Sequence, residues 1–168
     1  GQSSIPVLVD GNRLTTHYIY AQVGVASRGI DFRLPIRDAA GNPYTLVSIG
    51  DSTFYGLTFD RIFLPDTIEV IDYQAFYQCG VKCIQPFLPK SVRCIQPNAF
   101  VYCGVTNDLT VLAKRPVDMP ETWNGQLAGS QFSQCGGISC ITFGRGVTNI
   151  PNYFINMTSA SALTNVTC

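Results

Sequence analysis

The groups able to do chemistry in this 168-residue chain are few: seven cysteines, one histidine, and eleven carboxylates against eleven lysines and arginines. Thiolates and an imidazole could hold zinc. However, Cys79, Cys83, Cys94, Cys103, Cys135, Cys140 and Cys168 include no Cys-x-x-Cys pair, and His17 lies far from all of them. Zinc sites use closely spaced ligand pairs, so no metal site is expected. A catalytic nucleophile needs a base held within hydrogen-bond reach. No G-x-S-x-G, P-loop or G-x-G-x-x-G stretch accompanies His17, which reads as a structural histidine. Asp51, Asp60, Asp66, Glu69, Asp72 and Asp108 are scattered rather than paired. Neither enzymatic activity nor a cofactor is expected.

Two modification chemistries stay open. Seven cysteines is an odd number, so at least one is unpaired or bonds to another chain, and terminal Cys168 is placed for the latter. Asn156-Met-Thr158 and Asn165-Val-Thr167 both fit the N-glycosylation acceptor N-x-[ST]. Two acceptors so close together, on a low-charge chain containing cysteine, favour a eukaryotic secretory route.

The elements that would position these groups emerge from a repeat. An apolar residue followed by Phe recurs as Ile49 with Phe54, Ile71 with Phe76, Ile95 with Phe100, Leu127 with Phe132, and Ile150 with Phe154. The Phe-to-Phe steps are 22, 24, 32 and 22 residues, and three of the four fall in the range of leucine-rich repeats. Cys79, Cys103 and Cys135 each lie three residues after the Phe, where the first copy has Leu57. That position faces inward, so these three form a core ladder of buried thiols or of neighbours close enough to bridge. Within a unit, a short strand such as 61–64 turns Ile62 and Leu64 one way and Arg61 and Phe63 the other, and Pro65 ends it. The segment carrying the Phe is too short for an independent helix, so one helical or 3-10 turn is expected there. Such a unit buries its apolar face only by stacking on a neighbour.

The stretches LPDTIEVIDYQAFYQCGVKCI (64–84) and LPKSVRCIQPNAFVYCGV (88–105) resemble the BspA-type, or Treponema-type, leucine-rich repeat. The expected fold is therefore an α/β repeat solenoid. It is a short stack of leucine-rich-repeat coils with a parallel sheet on one face, helical or 3-10 turns on the other, and an N-terminal β-hairpin cap. Residues 1–45 would be the cap, where an Asp-Gly-Asn turn joins two apolar runs. Residues 46–158 would hold about five repeats, and 159–168 a C-terminal tail or cap. The long step contains an insertion at about 112–126 with the only tryptophan, Trp123. Insertions in solenoids emerge as loops, often on the binding face.

Net charge is zero and charged residues make up 13% of the chain, so neither nucleic acid nor an anionic membrane is an expected partner. No apolar run approaches a membrane span, and the first residues lack the basic start and long apolar core of a signal peptide. Membrane insertion is not expected. The outward strand positions are Arg61 and Phe63, Cys83 and Gln85, Asp108 and Thr110, and Cys140 and Thr142. Their mixed character suits a protein or glycan ligand. The resemblance implies a secreted or cell-surface protein that adheres to host or extracellular-matrix proteins. The alternatives are a self-associating structural component of a surface or filament, and an intracellular interaction scaffold.

Overall fold

The computed structural model describes residues 5–17, 29–105, 109–114, 122–123, 126–127, 135, 138–148 and 165–167. It opens on an antiparallel hairpin of β1 (Val7–Asp10) and β2 (Arg13–Thr16), turned at Gly11 and Asn12. Next come β3 (Ile30–Asp31) and β4 (Ile36–Arg37), and β4 returns antiparallel onto β5 (Pro43–Ile49). Each coil then supplies two short strands. They are β5 and β6 (Arg61–Phe63), β7 (Val70–Ile71) and β8 (Cys83–Gln85), then β9 (Cys94–Ile95) and β10 (Leu109–Val111). The insertion carries an antiparallel hairpin of β11 (Thr122–Trp123) and β12 (Gln126–Leu127), and β13 (Cys140–Phe143) and β14 (Asn165–Thr167) complete the order.

Strands of like phase stack in parallel. One ladder runs β2-β5-β7-β9 with β1 at its edge, and the other runs β3-β6-β8 and then β10-β13-β14. The isolated bridge between Leu88 and Val111 joins the two parts of the second ladder. Two ladders replace the one sheet expected, because the anchor isoleucines themselves pair: Ile49, Ile71 and Ile95 are in register. These strands are only two residues long after β5, too short to show an alternating pattern. The N-terminal segment is more than a lid, since β2 pairs with β5 and β3 with β6, extending both ladders. At the other end, part of the segment read as tail or cap forms β14 beside β13.

The expected helical or 3-10 turns are absent among the described residues, and the hydrogen bonds show why. From Ser52 to Leu57, alternate N–H groups point in different directions. Thr53, Tyr55 and Leu57 donate to carbonyls three residues back, at 3.2 to 3.3 Å, whereas Ser52, Phe54 and Gly56 donate to Tyr73, Ala75 and Tyr77 of the next coil, at 2.8 to 3.0 Å. Phe76 and Gln78 repeat this donation onto Ala99 and Val101. The alternation requires left-handed backbone, with φ of 51° at Ser52, Gln74 and Gln78, 60° at Asn98 and 56° at Tyr102. That conformation costs about 1 kcal/mol at each such residue. A helix would satisfy these groups within one coil; here half of them bind coil to coil.

The core follows the repeat. Phe54, Phe76 and Phe100 are fully buried and stack with ring centroids 5.1 Å apart at each step. Inward positions of the second ladder pair like with like, as in Ile30, Ile62 and Ile84. The cap is tied to the first coil by a buried polar cluster. The Thr16 and Thr53 hydroxyls meet at 2.9 Å, the Gly50 N–H donates to Thr16 Oγ1, and the Thr53 hydroxyl donates to the Gly50 carbonyl. A Cβ at Gly50 would overlap the Thr16 carbonyl oxygen, so only glycine fits there.

Candidate functional site

Outward residues of the second ladder form rows that run from coil to coil. Asp31, Phe63 and Gln85 are in register, as are Arg61 and Cys83, and further along Thr110 pairs with Thr142. Arg61 and Gln85 are exposed, and Thr110 and Thr142 are half-buried. Thr142 shares a 2.9 Å hydrogen bond with Thr167 of β14, so the row gains a hydroxyl not anticipated from the repeat. Arg61 lies beside Gly29, where any Cβ would strike its carbonyl oxygen and side chain.

Phe63 does not present an open ring. The Arg33 guanidinium sits 4.0 Å above its centroid. Arg33 is also forked onto Asp31, with Nε to Oδ1 at 2.9 Å and a terminal nitrogen to Oδ2 at 2.7 Å. Hydrogen bonding from Arg33 holds the Asp31 carboxyl down at about pKa 2. The surface offered here is a layered Phe63, Arg33 and Asp31 unit, which the sequence reading missed because Arg33 lies outside the repeat.

Cys79, Cys103 and Cys135 are all buried and free. Burial pushes the Cys79 and Cys135 thiols up to about 12 and Cys103 well above its ordinary value, with neighbouring Cys79 and Cys135 adding to the effect on Cys103. The Cys135 thiol donates to the Phe100 carbonyl at 2.8 Å. These groups act as core packing. Cys83 and Cys140 are half-buried on β8 and β13.

Trp123 lies on β11, paired in register with Gln126, so the insertion contains a hairpin. Asn165 begins β14 opposite Cys140. Asp108, Asn156, Phe132, Phe154 and Cys168 lie outside the described residues. His17 is exposed just beyond β2, where its N–H continues the hairpin by donating to Pro6.

Charges on successive coils complement each other: Asp60 meets Lys82, Asp66 meets Lys90, and Glu69 meets Arg93, at 3.2 to 3.5 Å. Glu69 also takes a 2.8 Å contact from Arg13 of the cap, and this hydrogen bonding depresses its pKa. Opposite charges one repeat apart are visible in the sequence once its period is known. Asp10, Arg13, Ser48, Glu69, Asp72 and Arg93 contribute to an open groove of about 380 Å³ beside β1. Tyr55 and Tyr77 stack at 5.3 Å on the turn face, with Tyr102 edge-on to Tyr77.

Among the described residues, no group of three or more His, Cys, Asp and Glu side chains is placed to hold a metal ion. Among them, too, no helix is long and apolar enough to cross a membrane.

Comparison with known proteins agrees with the ladders. A leucine-rich repeat protein from Bacteroides capillosus is similar in structure, with a TM-score of 0.58 at 16% identity, over 99% of this chain and 96% of that one. A leucine-rich cell surface protein from Faecalibacterium prausnitzii matches with a TM-score of 0.59 at 24% identity, over 98% of this chain and 43% of that one. No curated protein matches the sequence. Residues 41–161 match the BspA type leucine rich repeat region in six copies, one more than the five Phe anchors suggest. Since that match spans most of the molecule, the chain belongs to the BspA-type leucine-rich repeat family.

Proposed function

We propose that the protein is a non-enzymatic recognition module, secreted or held at a cell surface, that binds a protein or glycan ligand in adhesion. The observation that carries this reading is the set of coil-to-coil rows on the second ladder. Arg61, Gln85, Thr110 and Thr142 project from strands fixed by a continuous buried core, so dissimilar side chains are held at set spacings. A rigid scaffold lowers the ordering cost of binding. Host or extracellular-matrix proteins are the ligands favoured by the family resemblance.

Binding of the full chain to arrayed matrix proteins and neutral glycans tests this. Arg61→Ala with Gln85→Ala should weaken capture at least tenfold. Unchanged capture would move the contact to the Trp123 hairpin.

A second reading is self-assembly into a surface or filament structure, supported by β1. Its Val7, Leu8 and Val9 are 42%, 58% and 59% exposed on the outermost strand of the first ladder. Exposed apolar edge strands invite pairing with another chain. Light scattering that showed one stable monomer across a wide concentration range would eliminate it.

A further inference from the structure

A second groove, of about 350 Å³, lies where the chain leaves the second ladder. Lys90 and Arg93 follow β8, Lys114 follows β10, and Thr148 follows β13, so the lining spans successive coils. Buried Val92 forms its floor. Ser91 and Thr148 line it with hydroxyls already anchored on the Ile68 and Lys114 carbonyls. Among the described residues, no carboxylate lines this groove. The acids that reach its cations lie one coil back: Asp66 is 3.5 Å from Lys90, and Glu69 takes Arg93 through Nε alone while sharing itself with Arg13. Lys114 makes no ion pair among the described residues. Lys90 and Arg93 side chains are 67% and 68% exposed. Among the described residues, positive charge therefore exceeds negative charge at this edge of a molecule whose net charge is zero.

We propose that this groove binds the carboxylate or sulfate groups of an acidic polysaccharide. Three features select that class. Lys114 sits one coil beyond Lys90 and Arg93, and adjacent coils are separated by about 4.8 Å, which is close to the length of one pyranose ring. The aliphatic floor and lysine stems suit the apolar face of a sugar, with hydroxyls at hydrogen-bonding positions around it. Duplex nucleic acid carries a charge about every 1.7 Å, much denser than the cations of this groove. The site is independent of the strand positions of Arg61 and Gln85.

Calorimetric titration of the full chain with chondroitin sulfate, hyaluronan, neutral dextran and duplex DNA of matched length, at several salt concentrations, tests the proposal. Binding to one or both acidic polysaccharides, with none to dextran, is expected, and the better polymer identifies the group recognised. Replacing Lys90, Arg93 and Lys114 together by Gln should weaken binding at least tenfold and reduce the log–log salt slope by about 2. The thermal transition should be retained, since all three side chains are at the surface. Arg61→Ala with Gln85→Ala should leave this binding intact, which separates it from the adhesion reading. Failure to bind either acidic polymer, undiminished binding by the triple variant, or tighter binding of DNA would overturn the assignment.

Discussion

Burial decides what each cysteine can do. A thiol reacts as thiolate, and a pKa near 12 leaves almost none at neutral pH. Ellman's reagent should therefore label Cys83, Cys94 and Cys140 in the folded protein, all half-buried, while Cys79, Cys103 and Cys135 react only after denaturation. Rapid native labelling of Cys103 would contradict the packing described. Asp31 gives a pH signature of the Phe63 surface. Its pKa is lowered when folded, so the stabilising contribution of its ionised form is fully present above the ordinary carboxylate range and is lost progressively as pH falls from that range through about 2. An NMR titration should place the Asp31 midpoint there, and Arg33→Gln should return it toward the ordinary value.

At the level of elements, the stacked phenylalanines and the outer tyrosines form two ladders with unequal energetic weight. Phe76→Ala removes a fully buried ring between two others, and should cost about 3 to 5 kcal/mol of unfolding free energy. Tyr77→Ala removes a half-buried ring at the surface and should cost no more than about 1.5 kcal/mol. Denaturant unfolding of the two variants checks the contrast, and equal losses would mean that the Phe column is not the core. That column was legible in the sequence because a buried ring must recur once per coil. The turn geometry was not, because Ser52, Gln74, Gln78 and Tyr102 give no glycine signal for the left-handed backbone they adopt. Arg33 over Phe63 was equally hidden, since it joins the cap to a repeat across thirty residues. Short strands at Val70–Ile71 and Cys94–Ile95 escaped notice because two residues cannot establish a period.

For the whole molecule, zero net charge proved a poor guide to local charge. Acids gather on the coil with Asp60, Asp66 and Glu69, and bases on the next with Lys82, Lys90 and Arg93. Individually, such exposed pairs contribute about 0 to 1 kcal/mol, but together they favour one order of coils over a slipped one. The alternating hydrogen bonds of the turns act along the same axis and have a mechanical consequence. Among the described residues the coils at 52–57 and 74–78 do not complete their own bonding, so under tension a coil holds fully or is released as a unit. Pulled from its two ends in a single-molecule force experiment, the chain should lengthen in a sawtooth. Teeth that free a repeat of 22 or 24 residues should measure roughly 80 Å of contour at about 3.5 Å per residue, and the 32-residue step should give a longer one of roughly 110 Å. A single rupture that released the full length at once would show that the coils fail together, and that the bonds between them are not the weakest links.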